Sequence, residues 1–101
     1  MKAIIWNYSL AVAKLDEAKA LNSNVYPALQ VAILAHQSLR SALYGMGASM
    51  DELRPLRMAI HEYARAFSRE RLAYRFGIGE TAATNIARIA AQRELFAQLA
   101  K

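Results

Sequence analysis

The sequence contains no cysteine. Disulfide bonds and cysteine-ligated metal sites are therefore excluded, and the composition fits a cytoplasmic setting. Proline occurs twice and glycine four times, so few positions oppose a helix. A long hydrophobic run is also missing. The most apolar stretch, VYPALQVAILA (25–35), is too short to span a bilayer and is interrupted by Gln30. Near the start, Asn7, Lys14, Asp16 and Glu17 fall where a secretory signal would keep an unbroken apolar core. No membrane partner is expected.

Convergent chemistry is equally scarce. There are two histidines, and His36 has no metal-ligating partner at helical spacing. His61-Glu62 opens a zinc-protease pattern, but Arg65 stands where the second histidine belongs. The acidic pairs Asp16/Glu17 and Asp51/Glu52 are sequence neighbours, which a helix directs to different sides. No nucleophile, base or metal set assembles, so no catalytic residue, metal or cofactor is assigned and an enzyme is not expected.

Alanine, leucine and arginine are abundant, and these strong helix formers predict an all-α fold. A chain of 101 residues makes one small domain. Hydrophobic residues make up 55% of it, more than so small a domain covers alone. A second subunit is expected to cover the rest, giving a homo-oligomer, most simply a dimer.

Breaks in the pattern divide the chain into about five helices. Ile4, Tyr8, Ala11, Val12, Leu15 and Ala18 form one stripe over 3–21. Asn22-Ser23-Asn24 ends that helix, and Pro27 fits the first turn of the next, 25–44. This second helix is apolar nearly all round, which predicts burial at the centre or in a subunit interface. Ser49 is the expected cap of a third helix ending near Phe67, with Asp51 and Glu52 in its first turn. Met46, Met50 and Met58 read as core or interface filler. Ser68 is the expected cap of a short fourth helix (69–76), and a last helix runs from 80 to 100. Residues 1–48 would form the core and oligomerisation part, and 49–101 the remainder.

The stretch RLAYRFGIGETAATNIARI (71–89) carries the one functional pattern. Leu72, Ala73, Phe76, Gly77 and Ile78 have the order of a packed helical corner: apolar, small, apolar one turn on, glycine, apolar plug. Ala83 and Ile86 would face back from the following helix. LAYRFGI resembles the helix-turn-helix of phage repressors, resolvases and transposases, and the resemblance spans about residues 50–92. Gly79 stands where that motif usually has a serine-like cap, and Ala83 where it has a larger aliphatic residue.

The resemblance implies that the last helix enters the major groove. Thr81, Thr84, Asn85 and Arg88 would then read bases, while Arg69, Arg71 and Arg75 would contact phosphates. An overlapping G-x-G-x-x-A pattern, Gly77 to Ala82, follows a helical stretch rather than a strand and is not read as dinucleotide binding. Charge points the same way as the resemblance. Between Arg54 and Arg75, six arginines against two glutamates give a net charge of +4, out of +5 for the whole chain.

The expected function is thus a small dimeric DNA-binding transcriptional regulator. The alternative is a helical homo-oligomeric interaction protein that binds or inhibits another protein, in the manner of small phage or plasmid accessory proteins. In that case the arginines would meet an acidic partner surface.

Overall fold

The computed structural model describes all residues, 1–101. It contains four helices and no strand: α1 (Lys2–Ala20), α2 (Tyr26–Tyr44), α3 (Arg54–Phe76) and α4 (Thr81–Leu99). They lie in the spatial order α2–α1–α3–α4. At backbone level α2 packs on α1 alone, α3 lies between α1 and α4, and α4 packs on α3 alone. The pairs α1–α2 and α3–α4 are joined by short connections, as in αα-hairpins, while residues 45–53 carry the chain from α2 across to α3.

Local chemistry accounts for most boundaries. Asn22 takes a positive φ of 54° after α1, a conformation asparagine tolerates better than most residues. Asn24 Oδ1 accepts from the Tyr26 N–H (3.1 Å), and Pro27 sits in the first turn of α2. Ser49 and Glu52 form a reciprocal pair. The Glu52 N–H donates to Ser49 Oγ, and that hydroxyl donates to Glu52 Oε1, each over 3.1 Å. This Ser–Glu pair has the backbone half of a capping box and closes the turn that leads into α3 rather than its first helical residue. Gly77 ends α3 at φ 65°, and the N–H groups of Gly77 and Ile78 return to the carbonyls of Ala73 and Leu72. The bond from the left-handed Gly77 to the Ala73 carbonyl is that of an αL end, which favours glycine at this position.

The expected break at Ser68 is absent: residues 54–76 are one continuous helix, so there are four helices rather than five. No glycine or proline interrupts the stretch around Ser68. The serine hydroxyl does not turn back to cap its own chain. It is buried and donates to Asp16 Oδ2 on α1 over 2.6 Å.

The core lies along the seams between neighbouring helices. Ile60 is fully buried at its centre, with Ile5, Tyr8, Leu39, Leu43, Leu56, Tyr63, Phe67 and Leu95 around it. Trp6 meets Phe67 edge-on, with ring centroids 5.1 Å apart. Helix α2 is not the central helix, which was one of its two expected placements. It lies at the edge of the row, and only Leu39 and Leu43 along it are buried. Met46 and Met58 are exposed, while Met50 packs partly against the core.

Candidate functional site

Helix α4 presents to α3 the face that was expected to point outward. At about 100° per residue, Thr81, Thr84, Asn85, Arg88, Gln92, Leu95 and Leu99 share one stripe. Leu95 is buried in the core; Asn85, Arg88 and Thr84 are half-buried, and Thr81 is exposed. Glu70 of α3 holds the middle of the stripe. Its Oε2 accepts from Asn85 Nδ2 (2.9 Å) and its Oε1 from Arg88 Nε (3.0 Å). Arg88 also donates to Gln92 Oε1 over 2.8 Å. The Thr84 hydroxyl donates back to the carbonyls of Glu80 and Thr81 within its own helix. Asn85 Nδ2 and Arg88 Nε and Nη1 are therefore engaged inside the molecule.

The corner residues fall on the other side of this geometry. Ala83 is exposed and Ile86 is 68% exposed, so neither faces back onto α3. Ile78, the expected plug, is 45% exposed, and Phe76 is at the surface too. Ala73 alone of the corner pattern is buried, with Leu72 partly covered. The physical reason is the length of α4. Leu95 reaches the core only if α4 lies along α3, and that orientation turns the 81–85–88 stripe inward and Ile86 outward.

The arginines of α3 do not act as one cluster. Arg71 leans toward α1, where its Nε donates to Glu17 Oε1 over 2.8 Å beside the Phe67 ring. Of the three expected phosphate contacts, Arg69 and Arg75 remain exposed, and Arg75 lies over the ring of Phe76. Arg65 pairs loosely with Glu62 (3.6 Å) on the open surface, and Arg54 is exposed without a carboxylate partner. Arg57 donates to the carbonyl of Met50 over 3.4 Å.

Tertiary folding joins two histidines that sequence spacing kept apart. His36 of α2 and His61 of α3 have ring centroids 6.4 Å apart, with Tyr8 of α1 against both. Tyr8 Oη and His61 Nδ1 are 3.1 Å apart. Partial burial lowers the His61 pKa, and the nearby His36, Arg57 and Arg65 lower it further against a small opposing effect of Glu62. Burial raises the pKa of Tyr8, so its hydroxyl stays protonated. No group of three or more histidine, cysteine or acidic residues is arranged to hold a metal ion.

Helix α2 carries more exposed large hydrophobic residues than any other helix. Tyr26, Val31, Leu34 and Tyr44 are more than half exposed, with Leu34 at 62%. Beside Leu34 a groove of about 440 Å³ runs between α1 and α2, floored by Ile4, Leu10, Ala11 and Ala35. Lys14 and Asn7 stand on its wall.

The fold and these surfaces define an all-α domain built from two helical hairpins packed through α1 and α3. No protein-family model, curated protein or solved structure matches the chain. No helix is long and apolar enough to cross a membrane.

Proposed function

We propose that this protein works by binding other proteins, beginning with a second copy of itself, rather than by reading DNA sequence or by catalysis. The exposed leucine-and-groove face of α2 and α1 carries the reading. Leu34 and Val31 form one side of the apolar groove and are largely exposed, so the groove presents an uncovered apolar rim to a second copy. A two-fold axis near the middle of α2 lets each Leu34 enter the groove of the other copy.

Surface area supports a second copy as the occupant. The chain exposes 6338 Å². A folded monomer of 11.2 kDa is expected to expose about 5,700 Å². The excess of about 600 Å² is consistent with surface that a second copy would cover. Charge is compatible as well. Helix α2 carries Arg40 as its one arginine or lysine and no acid, so two copies of it meet with little repulsion. Such a dimer leaves the outer face of α3 free, and Arg54, Arg65 and Arg69 then suit an acidic surface on a further partner.

Solution mass by light scattering or sedimentation tests the proposal. The wild type is expected to be dimeric at micromolar concentration, and Leu34→Glu monomeric with unchanged helical content. A wild-type monomer throughout the micromolar range refutes it.

DNA binding is the second reading, and the exposed Arg54, Arg65, Arg69 and Arg75 favour it. With Asn85 and Arg88 held by Glu70, those arginines would contact phosphates without reading sequence. Affinity for duplex DNA would then fall steeply with salt and vary little with sequence. Loss of binding in Arg65→Gln/Arg69→Gln supports that reading, and absence of any salt-dependent binding removes it.

A further inference from the structure

A second depression lies on the opposite flank of α2, where the C-terminal half of α2 approaches the start of α3. It measures about 340 Å³. His36, Arg40, Tyr44, Arg57 and His61 supply its polar wall, and Leu39, Leu43 and Met50 its apolar one. No carboxylate lines it. His36 and Leu34 are two residues apart, about 200° around the helix, so this site is separate from the face assigned to self-association.

The electrostatics of the site are incomplete as it stands. The ion pairs of the molecule are Arg65–Glu62, Arg71–Glu17 and Arg88–Glu70, so Arg40 and Arg57 have no carboxylate partner. Arg40 and Arg57 line the recess without a counter-charge, and the two imidazoles beside them add further N–H donors. An anion bound there meets two unpaired cations.

The hydrogen-bond pattern leaves donors free for such a ligand. Arg40 donates to the Tyr44 hydroxyl oxygen over 3.2 Å, which leaves the phenolic proton unused. Arg57 uses one terminal nitrogen on the Met50 carbonyl, which orients the guanidinium and leaves its other N–H groups available. The Tyr8 hydroxyl faces His61 Nδ1. With that hydroxyl as donor, the neutral imidazole carries its proton on Nε2, the nitrogen not facing Tyr8.

We propose that this recess binds the phosphate group of a small phosphorylated organic molecule, with Arg57, Arg40, His61 and His36 holding the phosphate oxygens. A tetrahedral dianion uses donors from several directions at once, and planar guanidinium groups match its oxygens in pairs. The recess is larger than a phosphate alone requires and falls in the range of small-ligand sites. Leu39, Leu43 and Met50 provide the wall for the organic part.

The test is titration of the full-length protein with inorganic phosphate and with glycerol phosphate at constant ionic strength, in a buffer free of other oxyanions. Heat release and the imidazole NMR signals of His36 and His61 are followed. Saturable one-to-one binding is expected, tighter for glycerol phosphate, with shifts at both imidazoles. Arg57→Gln should weaken it at least about tenfold, in line with the loss of a charge-assisted contact. His36→Gln, at an exposed position, should weaken it less and leave the fold intact. A second arm compares a short 5′-phosphorylated oligonucleotide with its 5′-hydroxyl form. Preference for the phosphorylated end also supports the site and gives the phosphate a nucleic-acid source. A linear, non-saturating response, or binding unchanged in both Arg57→Gln and His36→Gln, overturns the proposal.

Discussion

Removing Glu70 tests the most consequential arrangement in the molecule, the inward stripe of α4. Its carboxylate accepts from Asn85 at 2.9 Å and from Arg88 at 3.0 Å. The Glu70 and Arg88 side chains are 17% and 26% exposed, so the contacts are only partly screened by water. A hydrogen bond to a charged group contributes about 1.5–3 kcal/mol when shielded. Two such bonds, discounted for partial exposure and for a shared acceptor, come to about 2–3 kcal/mol. In Glu70→Ala the donors of Asn85 and Arg88 also lose their partner, which keeps the loss toward the upper end. For a domain near 100 residues each kcal/mol lowers Tm by about 4–8 °C, so a drop of about 10–20 °C is expected.

Urea unfolding followed by circular dichroism measures this loss directly. Glu62→Ala is the control. Its pair with Arg65 is about 60% exposed on both sides, and its removal should change stability by under about 0.5 kcal/mol. A Glu70→Ala loss as small as the control's refutes the reasoning. It would mean that α4 is not anchored by this carboxylate and that Asn85 and Arg88 are free to point elsewhere. A cycle of Glu70→Ala with Arg88→Ala should show a coupling of about 1 kcal/mol or more.

Two further outcomes follow from polar groups at the helix seams. Ser68→Ala leaves the Asp16 carboxylate without its 2.6 Å donor and should cost about 1–3 kcal/mol by the same unfolding assay, with α3 still continuous. The second concerns His61, whose folded-state pKa lies below the ordinary 6.5. The unfolded chain therefore binds the proton more readily, and the His61 contribution is fully present above the unfolded value. It is lost as pH falls below that value toward the folded one. In a buffer without oxyanions, stability should drop more steeply below pH 6.5 in the wild type than in His61→Gln; parallel curves would contradict the assigned environment.

The sequence made the all-α class legible through its scarcity of glycine and proline and through the stripes of α1 and α3. It also marked real termini at Asn22, Pro27 and Gly77, whereas Ser49 caps the turn ahead of α3, whose first helical residue is Arg54, so Asp51 and Glu52 fall outside the helix. Ser68 misled because serine favours caps by local hydrogen bonding, whereas here a carboxylate 52 positions earlier in the chain competes for its hydroxyl. The orientation of α4 was misread for a related reason. Its stripe mixes Thr81, Asn85, Arg88 and Gln92 with Leu95, and polar residues at its start look like an outer face. Glu70 makes the polar half compatible with packing, but periodicity cannot reveal a cross-helix partner. The His36–His61 pair was invisible in the same way, because metal- and ligand-type spacing within one helix says nothing about neighbours across α1.

Helix α2 rests on α1 along one side, whereas α1 and α3 are each held between two neighbours. Detaching α2 uncovers Leu39, Leu43 and one side of α1 but leaves the α3–α4 hairpin joined. The chain thus has a small opening that is distinct from global unfolding. Any ligand on the α2 surface adds its binding free energy first to that small opening. Occupancy of the surface is therefore recorded in how rarely a single helix lifts away, and slowed amide exchange confined to residues 26–44 reports it without the partner being known.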